Sequence, residues 1–164
     1  MKTDSRNLLR MFGIVVLLMG LTVSAAHAED DDDDKRVAPA RNTVWQNECG
    51  ACHVAFPPRL LSAASWNAVM SGLDKHFGND ASLDAASTRE IGAFLAKHAG
   101  RSTQDSAGKP LLRITETSWF KREHDEVSSR TWKNPKVKSA ANCAACHTKA
   151  ESGNYGEREI RIPK

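Results

Sequence analysis

All four cysteines and two of the histidines of this 164-residue chain fall into two five-residue groups, Cys49-Gly50-Ala51-Cys52-His53 and Cys143-Ala144-Ala145-Cys146-His147. C-x-x-C-H is the spacing of c-type haem attachment. Two thiols one helical turn apart can each form a thioether to a haem vinyl group, and the His that follows can bind the iron from the same side. The plainer chemistries of four cysteines are a pair of C-x-x-C disulfides, favoured in an oxidising compartment, or a four-cysteine zinc site. Neither accounts for a His directly after each pair. Haem attachment accounts for all six residues. The expectation is therefore two covalently attached c-type haems, anchored by Cys49, Cys52, Cys143 and Cys146, with His53 and His147 as first axial iron ligands.

The sixth position of each iron follows from counting. Met1, Met11 and Met19 lie in an N-terminal leader, which leaves Met70 as the one methionine beyond it. Two His/Met irons, the arrangement that raises a haem potential, are excluded. Met70 sits on a Trp/Val/Leu stripe, where it reads as core filling. Five histidines remain after the leader, and removing His53 and His147 leaves His76, His98 and His124 for two distal positions. His124 is the only uncommitted His in the second half. His76 and His98 compete for the first iron. His98 ends a helix before Gly100, where a cation at the C-terminus suffices. His76 closes a stripe of bulky apolar residues, as the wall of a haem pocket would, and is favoured.

The elements that must position these residues read as helices. Asn42 to His53 is a short helix carrying the first motif, broken by Phe56-Pro57-Pro58. A loop there could set a backbone carbonyl against the free ring nitrogen of His53. Ser65 can cap a helix that runs to about Phe77 and stops at Gly78, with Trp66, Val69, Met70, Leu73 and Phe77 as its apolar stripe. Asp84 or Ser87 can cap the next, which ends near His98, and Ser87 with Glu90 fits a capping box. Arg101 to Pro110 is polar with Gly and Pro and reads as a linker. Thr117 or Ser118 begins a helix with Phe120, His124 and Val127 on one face. A last short helix carries the second motif, and the tail from Ser152 reads as a surface wrap. Strand alternation is absent, so the fold class is mainly α. Four tryptophans, Trp45, Trp66, Trp119 and Trp132, fall two in each half, suited to covering a porphyrin or to an ordinary core.

Lys2, Arg6 and Arg10, the apolar run Met11–Val23, and Ala26-His27-Ala28 have the layout of a secretory signal peptide. The run is short for a membrane span, which needs roughly 20 residues. Residues 1–28 are thus expected to be removed after about Ala28, delivering 136 residues to the periplasm. Residues 29–41 open on six consecutive acids, expected to be a solvated, disordered leader with no assigned function. A first haem lobe over 42–100, the linker 101–110 and a second lobe over 111–164 complete the expected organisation. Residues 29–100 carry net charge −4 and residues 101–164 net +5. That asymmetry suits oriented docking with charged partners, and the lack of a long basic stripe argues against nucleic acid.

Beyond the motifs, Phe56-Pro57-Pro58, Ser65-Trp66, Gly72-Leu73-Asp74-Lys75-His76-Phe77-Gly78, Arg113-Ile114-Thr115-Glu116-Thr117 with Trp119, Arg122-Glu123-His124 and Ala141-Asn142 resemble the small exported dihaem cytochrome c family. The resemblance covers nearly all of residues 42–164. It implies a class I cytochrome c-like N-terminal haem lobe followed by a less regular C-terminal one, and His76 and His124 as distal ligands. It also implies electron exchange with a membrane cytochrome b of the b561 type and with a small monohaem cytochrome c. The expected function is a non-enzymatic one-electron carrier with two low-spin bis-His haems. The competing class is a haem enzyme or gas-binding protein, peroxidase- or reductase-like, with one five-coordinate iron; dihaem peroxidases are much larger.

Overall fold

Asn42 opens the first helix of the computed structural model, which describes residues 40–101 and 104–164. The Asn42 side chain accepts from the Trp45 backbone N–H at 2.7 Å, a standard N-cap, and starts α1 at Thr43–Gly50. The expected signal peptide and the acidic run lie outside the described residues.

The second helix is shorter than its apolar stripe suggests. Ser62, not Ser65, is the cap, and its Oγ accepts from the Ser65 backbone N–H at 3.1 Å. Helix α2 then spans Ala63–Met70 and stops well before Phe77. Ser71 donates its hydroxyl back to the Asn67 carbonyl at 2.8 Å, and Gly72 follows. Such side-chain competition and a glycine end helices. Leu73–Lys75 forms a single 3-10 turn, and Phe77 and Gly78 take φ of +50° and +100°. His76 therefore sits on a loop rather than in a last helical turn.

Asp84 caps α3, Ala85–Lys97, accepting from the backbone N–H groups of Ala86 at 2.8 Å and Ser87 at 3.0 Å. The Ser87 hydroxyl donates to the same carboxylate, and together these bonds hold the Asp84 carboxyl below the usual carboxylate range. The Ser87–Glu90 capping box does not form, because Ser87 is already inside the helix. Glu90 instead accepts from Asn42 at 2.9 Å, joining α3 to the start of α1.

The packed centre lies among α1, α2 and α3. It consists of Trp45, Leu61, Trp66, Ile91 and Leu95, with Met70 against its edge. Ile91 and Leu95 come from the buried stripe of α3, and each buried side chain contributes about 1.5–3 kcal/mol. Trp66 satisfies its indole N–H on the Pro58 carbonyl at 2.7 Å, which fixes the proline loop against α2. The Gly100 backbone N–H donates to the Leu61 carbonyl at 2.8 Å, tying the end of α3 to the same loop.

The remainder is irregular. Residues 104–110 fold back on themselves, with the Asp105 N–H on the Lys109 carbonyl at 2.9 Å. A 3-10 turn, Ile114–Glu116, leads into α4, Ser118–Glu123, capped by buried Thr117. Helix α5 is only Ser129–Trp132, and the second motif lies on a 3-10 turn, Cys143–Ala145, not on an α-helix. The tail runs back along it, with the Arg161 N–H on the Cys146 carbonyl at 2.8 Å and Thr148 N–H on the Glu159 carbonyl at 3.1 Å. Among the described residues there are isolated bridges but no strand, so the fold is mainly α. Its second part is the less regular one.

Candidate functional site

Cys49 lies in the last turn of α1, and Cys52 and His53 occupy the turn that follows. No cysteine pairs with another, so the alternative of two C-x-x-C disulfides does not form. Burial, with Glu48 adding to it, pushes the Cys49 thiol up to about 11, and burial also raises Cys143 and Cys146. A redox-active C-x-x-C needs a lowered thiol, so the electrostatics oppose thiol–disulfide chemistry. Among the described residues no three His, Cys, Asp or Glu side chains converge as a metal cluster. A four-cysteine zinc site is therefore not what the fold builds.

What converges is two pairs of imidazoles. In the first part, His53 and His76 face each other with ring centroids 6.2 Å apart and planes 19° from parallel. His53 is oriented from behind by the Val54 carbonyl, 2.7 Å from Nδ1, and by stacking on Phe56 at 4.7 Å. The carbonyl comes from the residue directly after His53, upstream of the proline loop, whose Pro58 carbonyl accepts from Trp66 instead. Half-burial, then the neighbouring His53, holds His76 below its ordinary pKa and favours the neutral imidazole that a metal requires. His98 is elsewhere. It ends α3 with its ring 5.1 Å from Phe94 and, among the described residues, faces no other histidine.

The second part repeats the spacing with other means. His124 and His147 have ring centroids 6.1 Å apart, but their planes stand at 73°. His124 is the C-cap of α4; its Nδ1 lies 2.9 Å from the Phe120 carbonyl one turn back, and its ring stacks on Phe120 at 4.1 Å. Trp132 flanks it at 6.0 Å. His147 is held below its ordinary pKa by burial and then by His124, while the Tyr155 backbone opposes both. That backbone favours a proton on the ring without reaching hydrogen-bonding geometry, and Nδ1 of His147 is buried with no partner among the described residues. The Tyr155 hydroxyl is equally without one, and its ring lies 5.4 Å from His147.

These distances test whether the residues suit the group the motifs call for. A metal–imidazole bond is about 2 Å, and the ring centroid lies about 1 Å beyond the nitrogen, so two imidazoles on opposite sides of one ion have centroids about 6 Å apart. Both pairs meet that spacing, each with one member in a C-x-x-C-H motif. Of the tryptophans, Trp45 and Trp66 are core and Trp132 flanks a histidine pair, whereas Trp119 is exposed. Sequence reasoning missed the Phe120 stack, Tyr155, and Arg113, whose guanidinium lies 4.2 Å over the Phe77 ring. The four-residue spacing of Phe120 and His124 was the available signal for the first; Arg113 stood in a family-like segment but with no role, and nothing pointed to Tyr155.

A family model described as dihaem cytochrome c matches residues 45–155. Among solved structures, a dihaem cytochrome c from Shewanella baltica OS155 is 41% identical, with a TM-score of 0.65 over 74% of this chain and 93% of its own. The crystal structure of a protein called DHC, purified from Rhodobacter sphaeroides, is 50% identical, with a TM-score of 0.61 over 70% of this chain and 96% of its own. No curated protein matches. Both attachment motifs lie inside the matched residues, and the chain belongs to the dihaem cytochrome c family, with two c-type haems as its cofactors.

Proposed function

We propose that this haem electron carrier is a one-electron relay in which His53 with His76, and His147 with His124, bind the two irons from opposite faces. The observation that carries the reading is the equal spacing of the pairs, 6.2 and 6.1 Å between ring centroids. The haems supply two irons that each gain and lose one electron. The chain's own residues determine how they do so. Two imidazoles per iron would leave no vacant site for a substrate, which would keep the carrier apart from peroxidase-like chemistry. Carbonyls on Nδ1 of His53 and His124 fix ring orientation and make those ligands more basic, which favours the ferric state. Phe56, Phe120 and Trp132 line the ligand rings and lower local polarity.

Family membership supports export, and among the described residues no helix is long and apolar enough to cross a membrane. We place the carrier in the periplasm after removal of residues 1–28, between a membrane cytochrome b of the b561 type and a small monohaem cytochrome c. The uneven charge of the two halves suits docking of that kind.

The test is absorption spectroscopy of the oxidised holoprotein beside three variants. His76→Ala and His124→Ala should each convert one haem to high spin, and His98→Ala should leave both low spin. High-spin character from His98→Ala, with none from His76→Ala, would overturn the assignment of the first iron.

A further inference from the structure

The two distal histidines are held by unequal means. His124 ends a capped helix, is tied by Nδ1 to the Phe120 carbonyl at 2.9 Å, and stacks at 4.1 Å on a buried ring. His76 has none of this. No hydrogen bond to a described residue holds either of its ring nitrogens. Its loop is one 3-10 turn followed by Phe77 at φ +50°, a conformation that costs a bulky residue free energy. Two backbone bonds close the loop, Asn79 N–H to the His76 carbonyl at 3.0 Å and Ala81 N–H to the Leu73 carbonyl at 2.8 Å. The neighbouring ring, Phe77, is 44% exposed. A side chain distant in sequence, Arg113, lies 4.2 Å above the ring and is itself paired loosely with Glu116 at 3.7 Å.

We propose that His76, unlike His124, is an exchangeable ligand, so that the first haem site also binds small π-acceptor diatomic molecules in its reduced state. Arg113 acts as a positioning residue, pressing Phe77 down and thereby keeping His76 in place. Exchange replaces one iron–nitrogen bond with one bond to the incoming ligand. No electron moves, the iron stays ferrous, and the released imidazole is neutral. A carrier built this way is closed to ligands at one end and conditionally open at the other. The inference rests on the bis-His reading above.

Carbon monoxide binding to the reduced holoprotein, followed by stopped-flow absorption, tests it. Wild type should react at one haem of two, at a rate that becomes independent of carbon monoxide concentration because loss of His76 limits it. His76→Ala should still react at one haem, now in direct proportion to ligand. His124→Ala should react at both. Arg113→Ala should raise the limiting rate about two- to five-fold, the scale of an exposed cation–π contact, and Arg113→Lys should restore it in part. Reaction at neither haem or at both in wild type, or at both in His76→Ala, would overturn the inference. An unchanged limiting rate in Arg113→Ala would overturn the role of the clamp. Failure of the underlying bis-His reading looks different: high-spin haem in oxidised wild type, or a wholly low-spin His76→Ala protein.

Discussion

At the residue scale the cysteines and the histidines that follow them were legible because covalent attachment demands a fixed local spacing, which the chain displays twice. The partner histidines were less so. The helical stripe that favours His76 is not in the fold, since α2 ends at Met70 and the ring comes within 6.2 Å of His53 from a loop. The distance between rings that are far apart in sequence is a tertiary property, and no periodicity encodes it. Nor does periodicity encode ring angle, which differs most between the two sites: 19° in the first and 73° in the second. Near-parallel imidazoles split the iron d orbitals rhombically, whereas crossed imidazoles leave two of them nearly degenerate. Electron paramagnetic resonance of the oxidised protein should therefore show two distinct low-spin signals in equal amount, one rhombic and one with a single very large g value. Two identical rhombic signals would contradict the crossed geometry at His124 and His147.

At the element scale, three helix starts and the end of α3 near His98 were readable, whereas both ends of α2 were not. Asn42, Asp84 and Thr117 cap α1, α3 and α4 because a short polar side chain before an apolar stripe has few better uses. The end of α2 depended on Ser71 turning back to Asn67, a competition too local for the stripe to reveal. The second motif, expected on a short helix, is a 3-10 turn pinned by the returning tail through Arg161 and Thr148. The loop after the first motif is pinned in its turn by Gly100. A Cβ at Gly100 would overlap the Arg59 carbonyl oxygen, and backbone cannot move aside as a flexible side chain could. Gly100→Ala should lower the unfolding free energy of the holoprotein by about 1–3 kcal/mol, the usual cost of forced overpacking, in a denaturant titration. A variant as stable as wild type would mean that the end of α3 is not locked to this loop.

At the scale of the whole molecule, the mainly α class was legible from the absence of strand alternation and the presence of helical stripes. The distribution of the core was not. Among the described residues, five buried apolar side chains gather among α1, α2 and α3, while the second part buries only Phe120, Val137 and Ala150. So thin a core suits a fold completed by large covalent cofactors, which sequence patterning of side chains alone does not count. The two histidine pairs are the common element of these unlike halves. The central claim, that both irons are held by two imidazoles, is tested most directly by near-infrared magnetic circular dichroism of the oxidised protein, because the charge-transfer band there depends on the axial donors. The expected result is bis-imidazole absorption accounting for both haems. A high-spin band, or a methionine-ligated band from Met70, would contradict it.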